Sequence, residues 1–134
     1  MLPASIIEPD TLTWQGGRVG VNIRMPWYRA LPLSSVTGVS LAVDGHEVEP
    51  GSITWVTAEG ERYKLEELPP LYDRWWFVLD SVRLEGDTTP LDTTSGTGQH
   101  EVTVTVGLHI PYLPAGDGQI TIAEKDTKTL QVTR

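Results

Sequence analysis

No cysteine occurs among the 134 residues, which rules out disulfides and thiolate metal sites. That absence is neutral to mildly favourable for a cytoplasmic location, and the cytoplasm is the expected one. Basic charge is in short supply: ten Lys and Arg stand against eighteen Asp and Glu, a formal net charge of −8. Such a charge repels phosphate backbones and no basic run offsets it, so nucleic acid and membrane surfaces are not expected partners. No apolar run approaches the roughly 18 residues that a spanning helix needs. The N-terminus, Met1-Leu2-Pro3-Ala4-Ser5-Ile6-Ile7-Glu8, has neither a basic n-region nor an apolar h-region, so no signal peptide is expected. Helical periodicity is missing throughout.

What the chain does have is alternation. Val19, Val21, Ile23 and Met25 share one face of a strand over residues 18–25, with Arg18, Gly20, Asn22 and Arg24 on the other. A short strand at 11–14 precedes it across Gln15-Gly16-Gly17. Val39, Leu41 and Val43 mark a strand over 36–43, followed by an Asp44-Gly45 hairpin turn. Short strands are expected at 53–57 and 62–65, with one helical turn at 65–68 stopped by Pro69-Pro70. The aromatic stretch 71–79 reads as running into a strand through Val82 and Leu84. Residues 85–98 read as a long polar loop. The longest alternation is 99–110, with Val102, Val104, Val106, Leu108 and Ile110 inward, and it should stop at Pro111. Residues 119–123 and 127–133 read as a terminal hairpin turning at Glu124-Lys125-Asp126. Eight to ten short strands without helices argue for an antiparallel β-sandwich, with residues 1–134 as one domain.

Ten aromatic residues (five Trp, four Tyr, one Phe) are distributed unevenly. Seven fall in three segments, around Trp27-Tyr28, Tyr72 to Phe77, and Tyr112. Pro26 and Pro32 bracket the first of these. Each fixes φ and lacks an N–H, so the chain is expected to leave the sheet there in a stiff path presenting Trp27, Tyr28 and Arg29. Pro111-Tyr112 is a chemically similar exit, which suggests one shared end of the sandwich that the Trp75-Trp76 segment also reaches. Consecutive tryptophans in a strand point to opposite faces, one into the core and one outward.

Catalytic patterns are absent. His46, His100 and His109 show no ligand spacing such as H-x-H and read as ordinary turn or surface histidines, with His109 close to the Pro111 exit. Glu66-Glu67 reads as a solvated face, and Asp73 beside Arg74 as an ion pair that fixes its loop. There is no G-x-S-x-G, no Ser-His-Asp pattern and no phosphate-cradling loop. The aromatic segments remain: they can stack on sugar or polyphenol rings, or anchor a protein interface. A free-standing carbohydrate-binding module and a ligand-free homo-oligomeric sandwich therefore both stay open on the residues alone.

Four segments, in order, resemble one family. They are Leu2-Pro3-Ala4-Ser5-Ile6-Ile7; Arg24-Met25-Pro26-Trp27-Tyr28-Arg29-Ala30-Leu31-Pro32-Leu33-Ser34; Tyr63-Lys64-Leu65-Glu66-Glu67-Leu68 with Tyr72-Asp73-Arg74-Trp75-Trp76-Phe77; and Gly98-Gln99-His100-Glu101-Val102 through Ile110-Pro111-Tyr112. Together they resemble the β subunit of C-glycoside deglycosidases. The resemblance implies a β-sandwich accessory subunit of a carbon–carbon lyase, inactive alone, in a hetero-oligomer with a larger TIM-barrel α subunit. That α subunit would carry a divalent metal, commonly Mn²⁺, and the histidine base, with no cofactor on this chain. The substrate would be a 3-oxo-C-glycoside, for example of a flavonoid, cleaved by β-elimination at or near the interface. No catalytic residue carries over to this chain. The expected interface or substrate-lining residues are Arg24, Pro26, Trp27, Tyr28, Arg29, Tyr72, Asp73, Trp75, Trp76, Pro111 and Tyr112. His109 stands where the family often has a basic residue, so no contact is carried over to it.

Overall fold

Period-two alternation in the sequence becomes strand after strand in the fold. A computed structural model describes residues 6–15, 17–25, 30–77, 80–87, 99–115 and 118–132, with backbone alone at 15, 110–115 and 118–120. Among them are β1 (Thr13–Gln15), β2 (Arg18–Ile23), β3 (Leu31–Pro32), β4 (Val36–Val43), β5 (His46–Glu47) and β6 (Thr54–Val56). β7 (Arg62–Lys64), β8 (Trp75–Trp76), β9 (Val82–Asp87), β10 (Gln99–Ala115) and β11 (Gly118–Gln131) complete the set. The only helical pieces among the described residues are single 3₁₀ turns at Leu33–Ser35, Pro50–Ser52 and Leu65–Glu67, the last being the turn expected before Pro69.

All pairings are antiparallel. One sheet has the order β1-β2-β9-β6-β7, a second β11-β10-β4-β5, and β3 with β8 forms a two-stranded ribbon. The apolar faces of the two larger sheets meet in one core: Val19, Val21, Ile23, Trp55 and Leu84 from the first, Leu41, Val43, Val102, Val104, Val106 and Leu108 from the second. This is the β-sandwich expected from the strand pattern. The Asp44-Gly45 turn is also as expected, with φ of 53° and 82°, the pair of positive values that a type I′ hairpin requires.

Four local expectations fail, each for a physical reason. The charged triplet Glu124-Lys125-Asp126 is no turn: β11 runs through it, paired with β10 from Gln99↔Gln131 to Ile110↔Ile120. Asp126 points inward and is satisfied there, because its Oδ2 accepts the backbone N–H of Ile6 and of Ile7 at 2.9 Å each and the Lys128 ammonium at 3.0 Å. The β10 strand does not stop at Pro111 but extends to Ala115, with the register shifting between Ile110 and Ala115, where Pro111 and Pro114 supply no N–H. Residues 85–87 belong to β9, opposite Arg18, Val19 and Gly20, not to the loop; the remainder of that loop, 88–98, lies outside the described residues. Finally, the aromatic stretch and the Val82 strand are separate, since β8 pairs with β3 through Leu31↔Trp76 and Pro32↔Trp75. Pro32 thus sits within a ladder it was expected to end, in a two-stranded ribbon where it needs to pair on only one side.

Candidate functional site

Strand register brings the ends of several elements together. The last residue of β2, Ile23, pairs with the first of β9, Val82. In the other sheet the first residue of β4, Val36, pairs with Leu108 near the far end of β10. The β3–β8 ribbon bridges these two points, because β3 leads through the Leu33–Ser35 turn into β4 and the β8 segment leads into β9. Backbone bonds fasten the crossing: Leu33 N–H donates to Arg74 O at 2.8 Å and Ser34 N–H to Leu71 O at 3.0 Å. The end of β2 and the far end of β10, together with the aromatic segment, thus lie at one end of the sandwich.

That end is aromatic and exposed. Tyr72, Trp75 and Phe77 are 72%, 45% and 53% accessible, and they are the large hydrophobic side chains left exposed among the described residues. Trp76, by contrast, is buried at 1%. Its ring meets the Trp55 ring edge-to-face at 5.0 Å and 88°, and its Nε1–H donates to Asp80 O at 3.1 Å. An edge-to-face pair adds about 0.5–1.5 kcal/mol to plain burial. Trp76 therefore anchors the segment while its neighbour Trp75 faces outward, as strand alternation requires.

Charged side chains frame the aromatics. Arg74 lies 3.4 Å from Glu61 and 3.6 Å from Asp73; the Asp73–Arg74 pair is the one expected from sequence, although Asp73 is largely exposed. Arg24 is half-exposed, with Nε 3.4 Å from Glu8, whose same oxygen accepts a hydrogen bond from Ser81. Beside them a concave surface is lined by Asn22, Val56, Thr57, Ala58, Asp80, Ser81 and Arg83.

The expected contact residues therefore divide into three groups. Arg24, Tyr72, Asp73 and Trp75 are exposed at the shared end, and Trp76 supports them from the core. Pro111 and Tyr112 have a described backbone in β10, directed toward that end, but their side chains lie outside the described residues. Pro26, Trp27, Tyr28 and Arg29 also lie outside them, between Met25 and Ala30, whose neighbour Leu31 pairs with Trp76. Phe77, exposed beside Trp75, was not among the residues singled out from the sequence. The alternation that turns Trp75 outward and Trp76 inward would also have turned Phe77 outward.

Elsewhere, charge is used for structure. Asp44 accepts a hydrogen bond from Glu101 N–H at 2.9 Å and bonds His100 Nδ1 at 2.7 Å, and the His100 ring packs edge-on against Trp14 at 4.9 Å. Partial burial opposes ionisation of Asp44, yet the His100 and Glu101 bonds hold its carboxyl below the usual range. Glu85 is likewise held low against its burial by Arg62 and Arg83. Among the described residues no three His, Cys, Asp or Glu side chains converge as a metal site would need. No described helix is long and apolar enough to cross a membrane.

Fold and site define an all-β sandwich that presents an exposed aromatic end. Comparison with known proteins gives the family: residues 8–112 match the sequence profile of the C-glycoside deglycosidase beta subunit. A beta subunit of that name from Microbacterium trichothecenolyticum is 42% identical over 98% of this chain and 97% of its own length. Another, from Arthrobacter globiformis, is 40% identical over 100% and 99%. A 3'-dehydrocarminate deglycosidase beta subunit from a Microbacterium species is 39% identical over 98% and 96%. The chain belongs to the C-glycoside deglycosidase β-subunit family, and a β subunit implies a partner subunit in a complex.

Proposed function

We propose that this chain is the accessory subunit of a C-glycoside deglycosidase, docking its aromatic end against a larger TIM-barrel subunit that carries the divalent metal and the catalytic base. The reaction is carbon–carbon bond cleavage by β-elimination from a 3-oxo-C-glycoside. A ketone at C3 acidifies the C2 proton, and its removal gives an enolate. The enolate re-forms the ketone as C1=C2 forms and the C1–aglycone carbon bond breaks, and the departing aglycone carbon takes up a proton. The name of the relative acting on 3'-dehydrocarminate supports an oxidised sugar as substrate. Tyr72, Trp75 and Phe77, with Trp27, Tyr28 and Arg29, cover the barrel mouth, exclude water and line the aglycone side. The single observation carrying this reading is the exposed aromatic trio anchored by a buried Trp76, because large apolar rings held on a rigid support are typical interface anchors.

The test is co-expression with the larger polypeptide encoded beside this one. The triple variant Tyr72→Ala, Trp75→Ala, Phe77→Ala should fold normally, since all three side chains are exposed. Loss of anchors of this kind costs about 2 kcal/mol or more each, so co-purification should disappear. A variant that assembles and turns over at the normal rate would overturn the proposal. Tight glycan binding by the isolated chain would instead favour a free-standing carbohydrate-binding module.

A further inference from the structure

Among the described residues the second sheet ends in a long strand that is paired on one side only. β11 stands at the outer position of the order β11-β10-β4-β5, and its fourteen residues have β10 alone as a paired strand among the described residues. The direction of its free groups follows from one bond. Asp44 N–H donates to Glu101 O at 2.7 Å, so the outward-facing residues of β10 direct their backbone groups at β4. Successive residues alternate sides, so the inward residues Val102, Val104 and Val106 bond toward β11, opposite Lys128, Asp126 and Glu124. The remaining residues of β11, including Ala123, Lys125, Thr127 and Thr129, therefore turn their N–H and C=O groups away from the sheet. A row of unpaired backbone groups of this length is a template for another strand.

We propose that this edge pairs antiparallel with the same edge of a second copy of the chain, about a two-fold axis at Thr127, making one continuous eight-stranded sheet. The side chains are compatible with a second copy in this register. With Thr127 opposite its own copy, Asp126 faces Lys128 of the second chain, Lys128 faces Asp126, and Lys125 faces Thr129. No like charges stand opposite one another, whereas moving the axis one residue to Asp126 would set that carboxylate against itself. Inward charges on an edge strand commonly guard against pairing. Here Asp126 and Lys128 already compensate each other at 3.0 Å, and Glu124 lies diagonal to Lys128 of the second copy. The outward surface of the pair is threonine-rich, which suits a strand interface.

The chain has no cysteine, so single-cysteine variants report the register directly. In a pair of this kind the Thr127 Cα atoms lie about 5.5 Å apart, within disulfide reach. Thr127→Cys should cross-link to a dimer on mild oxidation. Ala123→Cys should not, because its copies lie about 27 Å apart in this register, eight residues of strand. Thr129→Pro removes an N–H from the free edge and none from the β10 ladder. It should halve the mass measured by light scattering while the far-ultraviolet circular dichroism still reports a folded β chain, with the thermal midpoint lowered only by the loss of association. A wild-type chain that is monomeric at high micromolar concentration would overturn the proposal. So would equal cross-linking of Thr127→Cys and Ala123→Cys, or a Thr129→Pro chain that remains dimeric. Because these measurements use the chain without its larger partner, their outcome is independent of the proposed docking of the aromatic end.

Discussion

Asp126 ties the two sheets together at a single carboxylate. It lies on β11, yet it holds Ile6 and Ile7, and Ile7 bridges to Ile23 at the end of β2 in the opposite sheet. Burial raises its pKa, but the Ile7 N–H and the Lys128 ammonium outweigh that and keep the carboxyl below its ordinary value. A folded pKa below the unfolded one stabilises the protein fully above about pH 4, and the contribution is lost as pH falls through the folded value. Denaturant unfolding at neutral and acid pH should therefore show stability dropping on acidification. Asp126→Asn should be less stable at neutral pH by about 1–3 kcal/mol and should show a shallower acid loss. Unchanged stability at pH 7 would remove the clamp from the account. That Trp75 and Trp76 take opposite faces was readable from strand alternation, but the Asp126 clamp was not, because Ile6 and Ile7 lie about 120 positions away in the chain.

At the scale of elements, glycine marks where strands come too close for a side chain. A Cβ on Gly86 in β9 would collide with Val48 Cγ1, and one on Gly20 in β2 would meet the Arg83 guanidinium. Arg83 lies over Gly20 to reach Thr11 O at 3.2 Å and Asn22 Oδ1 at 2.9 Å. Gly86→Ala should lower stability by about 1–3 kcal/mol through overpacking, read as a lower urea midpoint with unchanged slope. A neutral result would mean that Val48 repacks freely. The strands themselves were largely evident from alternation. Two of the four errors fell at Glu124–Asp126 and Pro111–Pro114, where local signals for a turn and a stop were overridden by cross-strand pairing.

At the scale of the whole molecule, the described residues form a sandwich with two proposed recognition surfaces of different kinds: an aromatic end and a strand edge. If the aromatic end docks as proposed, adding the larger subunit should shield Trp75 from acrylamide. Quenching of tryptophan fluorescence should fall on complex formation in the wild type, and fall much less in Trp75→Phe. Equal protection in both would place Trp75 outside the interface. The larger partner should also raise the thermal midpoint of this chain, since whatever binds only the folded state stabilises it.

Composition and periodicity alone determined the all-β class and the inward faces of β2, β4 and β10, and four ordered segments carried the family resemblance, because each of these is written in local residue order. Tertiary structure decided which segments share an end, which tryptophan is exposed and which strand is left without a neighbour. Those depend on register between residues far apart in the chain, and no local pattern encodes it.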